Sequence, residues 1–163
     1  MTVTIPDYVA LGGVTNPNRV GTLFCDPLDV ISHLSELTQY QLEKEQWSFP
    51  APPSVTPPKI SHKRAIIVRD RNHLPVIRLN PRIISESQAA ANALAELLDV
   101  LSNRDLWTEV VLEPGQMVLA SGTALHMRGE VNGDRELVAI YGRFPTTVCN
   151  TVAEQHSHLE RVD

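Results

Sequence analysis

Proline limits every regular element this chain can form. Of twelve prolines, seven lie between Pro50 and Pro81, including the run Phe49-Pro50-Ala51-Pro52-Pro53-Ser54 and the pair Pro57-Pro58. Each proline removes a backbone N–H and fixes φ at about −65°. The stretch at about 50–60 is therefore expected to be extended loop rather than helix or strand. A long proline-rich loop within a compact domain is usually functional or a linker.

On either side of this loop the apolar pattern resumes. Tyr8-Val9-Ala10-Leu11 is a short apolar run, Gly12-Gly13 and Asn16-Pro17-Asn18 read as turns, and Val20 to Cys25 as a strand. Asp26-Pro27 is a helix start, with Asp as N-cap and Pro at the first helical position. Leu28, Ile31, Leu34 and Leu37 follow at helical spacing. Beyond the loop, residues 65–68 and 76–79 read as two strands about the turn Asp70-Arg71-Asn72-His73. Ser85, with Glu86 behind it, is expected to cap a second helix striped by Ala90, Leu94, Leu97, Leu98 and Leu101. From Trp107 the pattern is strand and turn: 109–112, the turn Glu113-Pro114-Gly115-Gln116, then 117–120 and 137–141. Trp47, Trp107 and Tyr141 are expected in the core, and Arg128 and Arg143 in surface or structural roles.

These elements predict a β-rich α+β domain over residues 1–150 with two helices, followed by a polar tail over 151–163. Six or seven strands make only part of two packed sheets, whose apolar faces need cover. Aromatic content of 5 % is low for a self-sufficient core of 163 residues. Formal net charge is −5 with scattered basic residues, which argues against nucleic-acid binding. No apolar run approaches the roughly 18 residues of a membrane span, and the N-terminus lacks a signal-peptide pattern. Cys25 and Cys149 make no disulfide framework and no zinc spacing with the six histidines. A cytoplasmic protein with reduced thiols is the expectation.

The segment Leu112-Glu113-Pro114-Gly115-Gln116-Met117-Val118-Leu119-Ala120-Ser121-Gly122-Thr123-Ala124-Leu125-His126, with the later run from Gly133-Asp134-Arg135 to Arg143, carries a more specific signal. It resembles the distal end of the clavaminate synthase/taurine dioxygenase family: a Pro-Gly-Asp turn, an apolar strand, a histidine, and an arginine-bearing last strand. Val20-Gly21-Thr22-Leu23, Val76-Ile77-Arg78-Leu79-Asn80 and helix 85–103 resemble further family elements in the right order. The resemblance implies a partial double-stranded β-helix (jelly roll). It also implies iron(II) bound by two histidines and one carboxylate, with positions left for 2-oxoglutarate and O₂. His126 matches the second histidine ligand. Arg135 matches the arginine that anchors the cosubstrate's distal carboxylate through a planar bidentate fork. Thr22 matches the hydroxyl that assists it.

The chain also departs from the family pattern. No His-x-Asp/Glu motif lies upstream, so two of three metal ligands are missing. The literal match His158-Leu159-Glu160 falls in the polar tail. Ala120, Ser121 and Ala139 replace polar or basic positions, and Asn80 stands where relatives acting on basic amino acids offer a carboxylate. The expectation is a subunit of a split Fe(II)/2-oxoglutarate oxygenase. A separate N-terminal-half polypeptide would complete it as a heterodimer and supply the motif, and the assembled site would oxidise a small amino-acid-like substrate. The rival readings are a non-catalytic structural or regulatory subunit derived from such an enzyme, and a fragment of a longer chain.

Overall fold

The computed structural model describes residues 6–50, 63–70, 72–79, 82–129 and 134–144. The fold is mixed and strand-rich, and every strand pairing is antiparallel. Strands β1 (Tyr8–Thr15), β8 (Met117–Ser121) and β10 (Glu136–Gly142) form one sheet in the order β10-β1-β8. Strands β2 (Thr22–Cys25), β7 (Thr108–Val110) and β9 (Leu125–Arg128) form a second, ordered β7-β2-β9. Two small ladders complete the set: β3 (Trp47–Ser48) with β6 (Ile84–Ser85), and β4 (Ile67–Arg69) with β5 (Pro75–Ile77).

The period-two alternation of β1 divides its residues between two environments. Val9 and Leu11 are buried with Leu112, and Val118, Ala120, Leu137, Phe24 and Val110 pack around them. The first sheet therefore meets the second through a thin apolar layer. On its other face the second sheet contributes Cys25 and Leu125 to a larger core with the helices α1 (Pro27–Ser32), α2 (Glu36–Leu42) and α3 (Gln88–Ser102). Trp47, Leu42, Ile66 and Leu97 are fully buried there. Each such side chain contributes about 1.5–3 kcal/mol.

Local chemistry accounts for most boundaries. Asp26 caps α1 by accepting from the Leu28 N–H at 2.8 Å, with Pro27 at the first helical position, as expected. The first helical stretch is not continuous: it breaks after Ser32, and Ser35 caps α2. Glu96 on α3 accepts from the Ser35 N–H, the Ser35 hydroxyl and the Thr38 hydroxyl at 2.7, 3.1 and 2.6 Å, which fixes the break. Helix α3 begins later than expected. Ser87 is its cap, because Ser85 is already committed to β6 opposite Trp47. The turn at Asp70 forms as expected, its carboxylate accepting from the Asn72 and Leu74 N–H groups.

Gly12 and Gly13 form no turn but lie inside β1. Gly13 is needed for close approach: it exchanges backbone hydrogen bonds with Gln116 and Gly115, and a Cβ there would overlap the Glu113 carbonyl. Tyr141, expected in the core, is 61 % exposed on β10, which among the described residues is an edge strand of its sheet. Trp107 is partly buried against the helical core, its indole N–H donating to the Leu101 carbonyl at 2.9 Å. The proline-rich stretch from residue 51, Asn80, Cys149 and the tail with His158 and Glu160 lie outside the described residues. Among the described residues, no helix is long and apolar enough to cross a membrane.

Candidate functional site

The corner leading into β2 is set by Asn16, which is 6 % exposed. Its amide donates to the Val20 and Leu112 carbonyls at 3.0 Å each and accepts from the Val20 N–H at 2.8 Å. A buried amide so fully satisfied holds the backbone of residues 20–22 in place. Arg135 closes on this corner. One of its terminal nitrogens (Nη1) donates to the Gly21 carbonyl at 2.7 Å, the Thr22 hydroxyl at 2.9 Å and the Val20 carbonyl at 3.2 Å.

Register places the remaining groups. Thr22 pairs with Arg128 on one side and Val110 on the other, and Phe24 pairs with His126 and Thr108. Directly opposed residues in an antiparallel ladder share a face. Thr22, Phe24, His126 and Arg128 therefore project to one side of the second sheet. It is the side that faces the first sheet, because Phe24 and Val110 join the inter-sheet core. The Phe24 and His126 rings lie 6.3 Å apart. Thr22 and His126 are diagonal neighbours, a relation that puts residues roughly 7–8 Å apart.

The three residues singled out from sequence are thus brought together on one face. Thr22 is buried, Arg135 half-buried and His126 exposed. Two neighbours were not assigned to the site beforehand. Phe24 flanks the His126 ring, and Arg128 lies close enough to act on Arg135. Burial first, and then the Arg128 charge, hold the Arg135 guanidinium below the usual arginine value. The alternation His126-x-Arg128 within a strand is the signal that could have placed Arg128 on this face.

Beyond Phe24 a cleft of about 480 Å³ opens between the sheets. Phe24, Thr108 and Val110 line one wall, Val118 and Ala120 the other, and Asp26 lies at its helical end. Cys25 also borders it, but burial, then the charges of Asp29 and Asp26, push its thiol up, which disfavours the nucleophilic thiolate.

The donor set fits part of an iron and 2-oxoglutarate site. The Arg135 guanidinium sits on the Thr22 hydroxyl, and among the described residues Arg135 has no carboxylate partner, so an anionic ligand would be complementary there. His126 offers one imidazole to the same face. Among the described residues no three His, Cys, Asp or Glu side chains are grouped to hold a metal. One ligand does not make a tight iron(II) site.

No protein-family description and no curated protein matches the sequence. Solved structures do resemble the fold. An asparagine oxygenase in complex with Fe(II), 2S,3S-3-hydroxyasparagine and succinate superposes with a TM-score of 0.69 at 23 % identity, over 85 % of this chain and 46 % of that one. The non-heme iron oxygenase OrfP with Fe and alpha-ketoglutaric acid gives 0.65 at 21 % identity, over 90 % and 48 %. OrfP with Fe, succinate and (3S)-hydroxy-L-Arg gives 0.64 at 22 %, over 85 % and 45 %. The chain spans about half the length of the structures it resembles.

Proposed function

We propose that this chain is the distal part of a cytoplasmic, split Fe(II)/2-oxoglutarate-dependent oxygenase whose partial jelly roll a second polypeptide completes. The observation that carries the reading is the convergence of His126, Thr22 and Arg135 on one inward face, with the Arg135 guanidinium on the Thr22 hydroxyl at 2.9 Å. His126 would be one metal ligand, and the partner would supply a His-x-Asp/Glu pair. Arg135, steadied by Thr22, would receive the distal carboxylate of 2-oxoglutarate. Iron(II) with that cosubstrate supplies the oxidising chemistry for hydroxylation or a related reaction. The apolar wall of Phe24, Val110 and Val118 would keep water from the cleft, whose volume suits a small amino-acid-like substrate. The resembling asparagine oxygenase and the non-heme iron oxygenase solved with (3S)-hydroxy-L-Arg support that substrate class.

A second reading, a non-catalytic subunit derived from such an enzyme, draws on the first sheet. Ala120 pairs with Val9 and Ala139 with Leu11, so small apolar side chains stand where polar groups would serve a ligand.

Anaerobic iron(II) titration separates the two readings. The chain alone, a polypeptide bearing His-x-Asp/Glu near its C-terminal end, and their mixture are each titrated and assayed for 2-oxoglutarate decarboxylation. The split enzyme requires stoichiometric iron and turnover only in the mixture. Assembly without either gain supports the non-catalytic subunit. Iron binding by the chain alone that disappears in His158→Ala would move the metal site to the tail.

A further inference from the structure

The second sheet also carries a charged cavity on the side away from the cleft. Leu23 pairs with Glu109 and Met127, out of step with Thr22 and Phe24, so these side chains project to the opposite face. There Leu23, Arg104, Trp107, Glu109 and Gly129 line a cavity of about 360 Å³. Leu23 is buried and makes an apolar floor. Trp107 makes a fixed wall, because its indole N–H is held by the Leu101 carbonyl at 2.9 Å. Two glycines make room for Glu109. A Cβ at Gly21 would overlap the Glu109 side chain, and one at Gly129 would lie 3.4 Å from Glu109 Oε1 and 3.0 Å from the Gly21 carbonyl oxygen. Arg104, in the short helical turn Arg104–Leu106 after α3, brings a guanidinium to the same cavity. Among the described residues these two opposite charges neither pair with each other nor find another ion-pair partner.

We infer that this cavity is a binding site for a small zwitterion, a free α-amino acid, with its carboxylate on Arg104 and its ammonium on Glu109. Charge decides the class. An anion alone would face the Glu109 carboxylate, and a cation alone the Arg104 guanidinium. An apolar ligand would strip water from both charges and replace none of it. A molecule carrying both charges gives each a charge-assisted hydrogen bond, and its side chain meets Leu23 and Trp107. The volume lies at the lower end of the roughly 300–1,000 Å³ of small-molecule sites, which suits a ligand of amino-acid size. The inference does not rest on the oxygenase reading, because none of the five lining residues belongs to the proposed iron and cosubstrate site. The two sites do share a support. Gly21 gives its carbonyl to Arg135 at 2.7 Å, while Glu109 fills the space where a side chain at Gly21 would be.

The test uses the full chain at sub-micromolar concentration, titrated with glycine, L-alanine and L-leucine. Propionate and ethylamine, at matched ionic strength, are the controls that carry one charge each. Binding is read from tryptophan emission and from the rise in melting temperature that a ligand of the native state produces. The chain has two tryptophans: Trp107 reports on the cavity, and the fully buried Trp47 is a constant background. At least one amino acid should give a saturable change in both signals, with the two controls weaker by roughly tenfold or more. Arg104→Gln and Glu109→Gln each remove one charge from an exposed side chain, so both should keep the wild-type urea midpoint. Each should weaken amino-acid binding by roughly tenfold or more. Trp107→Phe should abolish the emission change. Absence of both signals with all three amino acids would overturn the inference. So would a control that matches the amino acid, binding unchanged in both charge-removing variants, or an emission change that survives Trp107→Phe. Neither iron nor 2-oxoglutarate enters this assay, so its failure and the failure of the oxygenase reading are read separately.

Discussion

Arg135 touches three oxygens of the corner at residues 20–22, so its removal has two separable consequences. Arg135→Ala removes one donor each from the Val20 and Gly21 carbonyls, which keep the Asn16 amide and the Gly129 N–H, and one from the Thr22 hydroxyl, and should lower chain stability by about 0.5–1.5 kcal/mol. In the assembled complex with iron bound, the same change should weaken anaerobic 2-oxoglutarate binding by about 2–4 kcal/mol. Arg135→Lys should restore stability better than affinity, because a point charge reaches the carbonyls but cannot reproduce the fork. Unchanged 2-oxoglutarate affinity in Arg135→Ala would relocate the anchor to Arg128 or Arg143. Among the described residues the exposed His126 side chain has a ring contact with Phe24 and no hydrogen bond. His126→Ala should therefore change the melting temperature little, while abolishing iron-dependent turnover of the complex. Retained turnover would remove the ligand assignment.

At the scale of single elements, two adjacent glycines of β1 should behave oppositely. Gly13→Ala drives a methyl group into the backbone of Glu113 and should destabilise by about 1–3 kcal/mol. Gly12→Ala meets open space and should be neutral or slightly stabilising, by up to about 1 kcal/mol, because alanine has less backbone freedom to lose. Chemical denaturation of both variants gives the comparison directly. The α2–α3 contact carries a pH dependence. Hydrogen bonds from the Ser35 N–H, then the Thr38 hydroxyl, hold the Glu96 carboxyl below the usual glutamate value. Its stabilisation is therefore fully present above the unfolded value of about 4.3, and is lost as pH falls through the lower folded value. Glu96→Gln should be less stable than wild type at neutral pH, with the melting-temperature gap closing on acidification. A gap that stays constant with pH would assign the contact to packing rather than charge.

For the whole molecule, the proposed split enzyme predicts a chain that behaves poorly alone. The isolated chain should bind hydrophobic dyes and self-associate at micromolar concentration, because large apolar patches and open strand edges are exposed. A monodisperse, cooperatively unfolding monomer that ignores such dyes would contradict this. Alone it should also show no stoichiometric iron(II) binding, since the described residues group no three metal ligands.

Short-range chemistry was readable in the residues themselves. The cap at Asp26-Pro27, the turn at Asp70 and the alternation of β8 and β10 depend on neighbours a few positions away, and they form where the sequence puts them. The grouping of His126, Arg135 and Thr22 followed from their order and residue types once the resemblance was seen. Long-range competition decided the rest. Ser85 lost the helix cap to Ser87 because its backbone was already paired with Trp47, 38 positions earlier. Gly12-Gly13 looked like a turn until the Glu113–Gln116 loop folded against them, and only that approach distinguishes the obligatory glycine from the free one. Arg128 came to this face through its register opposite Thr22, and Tyr141 left the core because β10 is an edge strand among the described residues. The sequence by itself determined which residues could cap, turn, alternate and coordinate. Tertiary structure decided which of them share a face, because hydrogen-bond register and close backbone approach exist only between segments far apart in the chain.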